Sequence, residues 1–386
     1  MNRKTFSFIC TAIRAAITET KLNAEDRALF SKALLPEYYA LAKKHDVAHL
    51  VAHAIIENDL LGEKSRALDN TVMTAVLRCE QLGYELTQLC AFFEEEGIDF
   101  LPLKGSVLRD RYPESWMRTS CDIDILVKEA DLDRARDRLV EKRGYRYEAK
   151  GEHDISLFLN ERIHLELHYA LIGDGIAKKS SEVLKNIWRY TNIKSGKAHW
   201  HELSDEAFYF YHVAHAAKHF EQGGCGIRPL IDLYILDKME NTDVEKRNAL
   251  LCEGGLEKFT AVIRKLSRVW FQGEDHDAIS QKAEQYILNG GVYGNIENAI
   301  AIQQQKKGGR FRYALSKIFL PYNVIKFHYP ILEKHRWLTP LMQIRRWFKL
   351  VFCGHAKRSL RHLKLNQNLS NEEAIATQQF LDELGL

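Results

Sequence analysis

Apolar positions recur with the period of an α-helix along the first part of the chain. Val72, Val76 and Leu89 belong to one long apolar row at this spacing, which is typical of a helix with one buried face. The row ends before Gly97, and glycine commonly follows the last turn of a helix. The pattern therefore predicts a helical region over residues 1–96.

After Gly97 the pattern changes to short apolar stretches that have the length and composition of strands. These stretches predict strands at 98–103, 121–127, 144–150, 155–160 and 163–169. Helices are expected between them at 106–111 and 131–143. This order predicts a compact block of strands and helices over residues 97–172.

The helical period returns from residue 173 and is interrupted by a predicted hairpin over 192–203. Ser204 is expected to cap a helix over 206–219, because a serine side chain can accept a hydrogen bond from the first turn. The expected fold class is therefore α+β and predominantly helical. Four regions are predicted: an N-terminal helical region 1–96, a core 97–172, a helical region with a hairpin that completes a cleft 173–299, and a basic, aromatic-rich helical region 300–386.

The composition is that of an ordinary globular protein. Hydrophobic residues make up 46% and charged residues 28% of the 386 residues. No apolar run approaches the roughly 18 residues that a membrane-spanning helix needs. The seven cysteines are odd in number and none is spaced as CxxC, which argues against a structural zinc site and against a disulfide framework. Reduced thiols and a cytoplasmic location are expected.

A net charge of only +3 hides a strongly basic segment near the C-terminus. Residues 300–365 hold 15 lysines and arginines against one acid, Glu333, which leaves a net charge of −11 on the rest of the chain. Three interpretations fit this segment, in order of preference: a folded basic surface, an anionic acceptor or peripheral contact with the inner membrane surface, and nucleic acid.

Two acidic residues share one face of a predicted strand. Asp122 and Asp124 lie two residues apart, so alternation places both carboxylates together while Ile123 and Ile125 face the other way. Neighbouring carboxylates repel each other and favour a hard divalent cation with oxygen ligands. Solvated strand acids are the alternative for such a pair taken alone.

Upstream of this pair, Lys104-Gly105-Ser106 stands where a predicted strand gives way to a helix. Glycine allows close approach of the backbone, and exposed N–H groups at a helix start favour a phosphate. Lys104 or Arg118 would add a positive charge. The motif therefore predicts a site for an anion beside the acidic strand.

Downstream, alternation places His164, Glu166 and His168 on one face of another predicted strand. Glu166 is therefore a candidate third carboxylate. A zinc site on the two histidines is a less favoured interpretation than polar histidines that support the carboxylates, because zinc motifs of the HExxH kind need helical spacing.

Together these motifs resemble the nucleotidyltransferase superfamily of DNA polymerase beta type, and more closely its uncharacterised bacterial nucleotidyltransferase family with a helical N-terminal part. The motifs that carry the resemblance are Leu103-Lys104-Gly105, Tyr112-Pro113, Arg118, 122–127, Gly144-Tyr145 and Glu166-Leu167-His168-Tyr169, with looser similarity over 215–220 and 227–233. Two departures are Glu166, where aspartate is usual, and a turn with a single glycine before Ser106.

The resemblance implies a small mixed sheet and metal-dependent transfer of a nucleoside monophosphate from a nucleoside triphosphate, with ATP as the first candidate, to a hydroxyl acceptor. Two Mg²⁺ or Mn²⁺ ions would be held by Asp122, Asp124 and Glu166. The nucleotide would be bound by Lys104, Gly105, Ser106 and Arg118. The residues expected at the rim of the cleft are His168, His215, His219, Arg228 and Asp232.

Alternatives remain for the rim residues and for the function. His212, His215 and His219 share one helical face that could instead be hydrogen-bonded, and Arg228 could form a salt bridge with Asp232. The protein could also be a catalytically inactive nucleotide- or partner-binding protein of the same fold. A membrane-surface factor in glycan or polysaccharide assembly is the third function considered.

Overall fold

A computed structural model describes residues 3–171, 178–239, 242–352 and 356–386 of the chain. The structure is 67% helical and contains a small mixed sheet, so the predicted α+β, predominantly helical fold class is confirmed. The predicted boundary between residues 172 and 173 lies outside the described residues. The division into four regions stays a prediction.

The N-terminal part is helical, and its last helix is by far the longest. Its helices are α1 (Arg3–Thr18), α2 (Ala24–Ala28), α3 (Leu35–Lys44), α4 (Ala48–Glu57) and α5 (Arg66–Glu95). The compact block that follows consists of β1 (Phe100–Pro102), α6 (Gly105–Leu108), β2 (Ile123–Val127), α7 (Leu132–Arg143), β3 (Arg146–Lys150), β4 (Asp154–Leu159) and β5 (Ile163–His168).

The described part of the chain from residue 178 onward is helical apart from one hairpin and the connecting turns. Its first elements are α8 (Lys178–Lys185), β6 (Thr191–Ile193), β7 (His201–Leu203), α9 (Asp205–Glu221), α10 (Arg228–Leu236), α11 (Val244–Glu253), α12 (Glu257–Gln272) and α13 (Ala278–Asn289). They are followed by α14 (Ile296–Lys307), α15 (Arg310–Ile318), α16 (Tyr322–His328), α17 (Ile331–Lys334), α18 (Thr339–Phe352), α19 (Ala356–Asn368) and α20 (Asn371–Leu384). Ser204 caps α9, as expected, by accepting a hydrogen bond from the Ala207 backbone N–H.

The main sheet has the strand order β1-β2-β5-β4-β3. Strands β2 and β5 run parallel, and the other pairs are antiparallel, which makes the sheet mixed. The β2–β5 register places Asp124 opposite Glu166 and Leu126 opposite His168. Two polar positions of different strands therefore become direct neighbours on one face of the sheet.

The two faces of the sheet pack against different parts of the molecule. One face contributes Ile123, Ile125 and Leu167 to a core that also contains Phe93 of α5 and Leu139 of α7. The opposite face carries Leu126, which belongs to a larger core. This core includes residues of the helices that precede the block in the sequence and of the helices that follow it. Because alternation places Asp124 on the same face as Leu126, this carboxylate is turned toward the helical part of the molecule.

Candidate active site

Strands β2 and β5 bring three carboxylates together. Asp124 is buried within β2, Asp122 immediately precedes that strand, and Glu166 is paired with Asp124 across the parallel ladder. Donor atoms of Asp122, His164 and Glu166 all lie within 4.8 Å of one another, and so do those of Asp124, Glu166 and His168. Glu166 belongs to both sets, so it stands between the two aspartates.

Lys104 supplies a positive charge to this group. Its Nζ lies 2.7 Å from Asp124 Oδ1 and 3.9 Å from Glu166 Oε2. Lys104 occupies the position before α6 with φ +47° and ψ −125°, a conformation that glycine adopts far more readily than lysine. The turn therefore holds the ammonium close to the carboxylates at a cost in backbone strain.

His168 contacts the same carboxylates from the end of β5. Its Nε2 lies 2.8 Å from Asp124 Oδ1 and 3.4 Å from Glu166 Oε2. Burial lowers the pKa of His168, but the hydrogen bonds with these two carboxylates outweigh burial, so the pKa lies above the ordinary histidine value. The imidazole therefore shares with Lys104 the neutralisation of Asp124.

The two aspartates have opposite electrostatic environments. Burial raises the pKa of Asp124, but the charge of Lys104 and the hydrogen bond from His168 outweigh burial and hold this pKa well below its ordinary value. Burial and the negative charges of Asp124 and Glu166 raise the pKa of Asp122 to about 6. Asp122 is thus the member of the group that most needs an additional cation.

The donor set fits a divalent cation. The three carboxylates outnumber the Lys104 ammonium and the His168 imidazole, which both contact Asp124 and Glu166. Hard cations such as Mg²⁺ and Mn²⁺ prefer carboxylate oxygens, whereas the histidines at 164 and 168 would also suit a transition metal. Asp122, Asp124 and Glu166 could therefore hold metal, with His164 and His168 next to them.

The carboxylates open into a cavity of about 340 Å³ between the sheet and α9. The helix lines the cavity with Tyr211, His215, Lys218 and His219. Burial and the nearby charge of Lys104 lower the pKa of His215 well below its ordinary value, and burial with Lys218 lowers that of His219 to about 4. Both imidazoles are therefore neutral at neutral pH and present polar, uncharged groups to a ligand.

The family model of the uncharacterised nucleotidyltransferases matches residues 31–272 of this chain, well over half of its length. The chain belongs to that family. The matched range contains both strands of the carboxylate group, the turn at Lys104 and all of α9 and α10. The resemblance inferred from the sequence motifs is thereby confirmed, whereas a search of the curated proteins finds no match.

In this family member, Arg118 is engaged with Asp232 at the side of the cavity. Arg118 Nε and Nη2 donate to the two Asp232 carboxylate oxygens at 2.6 Å and 2.9 Å, and Nη1 donates to the Thr119 carbonyl at 2.6 Å. Tyr112 Oη donates to Asp232 Oδ1 at 2.6 Å. All three donor groups of the Arg118 guanidinium thus have protein partners. Its predicted contact with nucleotide stays a prediction.

Arg228 does not pair with Asp232, contrary to the alternative considered from the sequence. Its Nη1 lies 2.7 Å from Asp46 Oδ2, which comes from the turn after α3, and 3.0 Å from the Thr119 carbonyl oxygen. No sequence pattern pointed to this partner, because Asp46 is 182 positions away along the chain. The hydrogen bonds of Arg118 and Arg228 therefore connect the segment between α6 and β2 to α10.

Ser106 and Gly105 are adjacent in the chain but line different cavities. Gly105 and Lys104 line the cavity that contains the carboxylates, whereas Ser106 lines a separate cavity of about 940 Å³ between α5 and the β6–β7 hairpin. A Cβ at Gly105 would lie 3.2 Å from Ser120 Cβ, so the glycine permits close packing here. The buried Ser106 Oγ has no hydrogen-bond partner among the described residues.

Three of the cavity residues that sequence reasoning missed are polar and lie close to the carboxylates or the histidines of α9. Tyr211 lies four residues before His215 on α9, so the helical period that selected the histidines could also have selected this tyrosine. Lys218 lies on the same helix, with its Nζ 3.5 Å from His153 Nε2. His153 stands in the turn between β3 and β4, where no periodicity applies, and no sequence signal could have placed it at the site.

Proposed function

We propose that this protein is a metal-dependent nucleotidyltransferase that transfers a nucleoside monophosphate from a nucleoside triphosphate, ATP as the first candidate, to a hydroxyl acceptor in the cytoplasm. The observation that carries the proposal is the convergence of Asp122 and Asp124, at the start of β2, with Glu166 of the parallel strand β5. Membership of a nucleotidyltransferase family supports the type of reaction.

In the proposed reaction, the acceptor oxygen attacks the α-phosphorus and forms the new P–O bond. The bond from the α-phosphorus to the bridging oxygen breaks, and its electron pair leaves with pyrophosphate. Mg²⁺ or Mn²⁺ at the three carboxylates would supply charge that stabilises the attacking and leaving oxygens. Glu166, whose side chain is 27% exposed against 5% for Asp124, could accept the proton of the acceptor hydroxyl.

The remaining residues would bind and orient the nucleotide. Lys104 already lies beside the carboxylates and could move its ammonium to a phosphate oxygen, and the neighbouring Gly105 also lines the cavity. The neutral imidazoles of His215 and His219 could donate and accept hydrogen bonds across the cavity. The proposed work of the chain is positioning and charge stabilisation.

One observation favours a second candidate, a nucleotide-binding protein without catalytic activity. Lys104 Nζ is 2.7 Å from Asp124 Oδ1, so the protein itself supplies a cation to a predicted metal ligand. If that ion pair persisted with nucleotide bound, metal could not engage Asp124 fully. Calorimetry with ATP and Mg²⁺ would then show binding without turnover.

The first test is the double substitution Asp122→Asn and Asp124→Asn, assayed with a panel of labelled nucleoside triphosphates, Mg²⁺ or Mn²⁺, and cell extract as the source of acceptor. Transfer should fall by more than about 100-fold, because loss of residues that merely support metal ligands typically costs 10–100-fold. Asp133→Asn with Asp137→Asn is the matched control, since both aspartates are well exposed on α7. Transfer that survives in the first variant would refute the proposal.

A further inference from the structure

Exposed apolar side chains form a row along α15. Phe311, Leu315 and Ile318 lie at positions i, i+4 and i+7 and are 75%, 38% and 41% exposed. Positions with this spacing share one face of a helix. Tyr313 lies off this row and is buried, so α15 packs on the protein through another side.

A second exposed row follows α18. Leu341, Ile344 and Phe348 lie at i, i+3 and i+7 and are 55%, 44% and 61% exposed, whereas the adjacent Met342 is buried in a small separate core. The 3-10 turn before this helix adds Trp337, which is 77% exposed. The helix thus exposes apolar side chains along one side.

The two helices are fixed to each other at one end. Trp347 Nε1 donates to the Ile318 carbonyl oxygen at 2.8 Å, and Arg346 Nη1 donates to the same oxygen at 3.0 Å. The rings of Phe319 and Trp347 are 5.2 Å apart in an edge-to-face arrangement. These contacts hold α15 and α18 together, so the two rows belong to one connected unit of the structure.

The rows stand in the most basic part of the chain, which carries 15 lysines and arginines and one acid over residues 300–365. Among the lysine and arginine side chains that the structure describes in this segment, only Lys306 forms a salt bridge, with Glu221. Arg312, Arg345 and Lys349 are exposed beside the rows. Their charge is available to an anionic partner.

We propose that α15–α18 form a surface that binds the headgroup region of an anionic lipid membrane, with both apolar rows entering the boundary of the acyl chains. Apolar side chains flanked by lysines and arginines are typical of helices that lie in this region. Four of the seven exposed apolar side chains are aliphatic and have no π-face for stacking, which favours lipid over single-stranded nucleic acid: Leu315, Ile318, Leu341 and Ile344. The proposal goes beyond nucleotidyl transfer and does not depend on it.

The test is flotation of the full chain with vesicles of phosphatidylcholine alone or with about 30% phosphatidylglycerol. We expect binding only to the anionic vesicles, with weaker binding as salt rises, because surface charges are screened. Arg345→Glu with Lys349→Glu should lower the partition coefficient by more than about 25-fold, since each cation near an anionic membrane contributes about five-fold. Lys21→Glu with Lys246→Glu, outside the segment, should have little effect.

The apolar rows have a matched control of their own. Phe311→Ser, Trp337→Ser and Leu341→Ser together should abolish flotation, whereas Met73→Ser, Leu77→Ser and Tyr84→Ser should not. The three control residues lie on α5 and are 55%, 55% and 69% exposed. Circular dichroism and thermal unfolding should be unchanged in both triple variants, because all six side chains are exposed.

Four results would overturn the proposal. The first two are no binding to anionic vesicles and equal binding to phosphatidylcholine vesicles. The third is an equal loss of binding in the α5 control variant. The fourth is binding of single-stranded RNA without binding of vesicles at the same salt concentration. Self-association that depends on Phe311 and Leu341 without vesicle binding would identify a second copy of the chain as the partner instead.

Discussion

Lys104 combines an unfavourable backbone conformation with a position between two carboxylates. A non-glycine residue at φ +47° is held there only when the surrounding structure stabilises it, and here the stabilisation includes the contact with Asp124. Asp124 and Glu166 raise the pKa of Lys104 far enough to outweigh its burial, so the ammonium stays charged. The residue therefore acts as an internal counter-ion in the absence of other cations.

This arrangement predicts opposite effects on two ligands when Lys104 is replaced by methionine. Mn²⁺ binding without nucleotide should become at least about ten-fold tighter, because one positive charge near the ion is removed. Binding of a nucleoside triphosphate should weaken by about ten-fold or more, because a charge-assisted contact is lost. Titration calorimetry measures both affinities.

Lys128→Met is the control for this substitution, since Lys128 is an exposed lysine that pairs with Asp99 away from the carboxylate group. Its Mn²⁺ affinity should equal that of the unmodified protein. Weaker or unchanged Mn²⁺ binding in Lys104→Met would show that Lys104 does not compete for the carboxylates.

At the scale of elements, helix α9 and its packing position the polar side of the cavity. Its buried Phe210 packs against Gly254, the residue that follows α11: a Cβ added at Gly254 would lie 2.3 Å from the ring. Such a distance forces the ring or the backbone to shift. By contrast, a Cβ at Gly83, inside the long helix α5, would meet only Arg109 Nη1 at 3.9 Å, an ordinary contact.

The same substitution should therefore change stability in opposite directions at the two glycines. Gly254→Ala should lower the free energy of unfolding by about 1–3 kcal/mol through overpacking. Gly83→Ala should raise it by about 0.5–1 kcal/mol, because alanine loses less backbone freedom in a helix. Urea denaturation measures both changes, and a destabilised Gly83→Ala would contradict the packing described for α5.

At the scale of the whole molecule, the sequence predicted helices, strands and their faces better than it predicted ion pairs between distant residues. Alternation predicted that the carboxylates of Asp122 and Asp124 lie together, and both belong to the carboxylate group although β2 begins only at Ile123. Arg228 illustrates the limit: its partner is Asp46, whereas Asp232 pairs with Arg118. Ion-pair partners depend on how α10 docks against distant segments, and no local period encodes that docking.

The Arg118–Asp232 pair joins the compact block to α10 across 114 positions of the chain, and the Asp232 side chain is only 1% exposed. Asp232→Asn leaves the buried Arg118 without a full counter-charge and should lower the free energy of unfolding by about 3–5 kcal/mol. The triple variant Tyr112→Phe, Arg118→Met and Asp232→Leu removes both partners of the carboxylate as well, so it should lose less stability than the single variant.

Acid dependence provides an independent check of the same pair. Burial raises the pKa of Asp232, but the charge of Arg118 outweighs burial and holds the pKa below its ordinary value. A group whose pKa is lower in the folded state stabilises the fold above its ordinary pKa, and this contribution is lost as pH falls toward the folded value. The stability difference between the unmodified protein and Asp232→Asn should therefore be constant near neutral pH and shrink below about pH 4. Denaturation measured from pH 7 to pH 3 tests this, and a difference that grows in acid would show that Arg118 does not stabilise the ionised carboxylate.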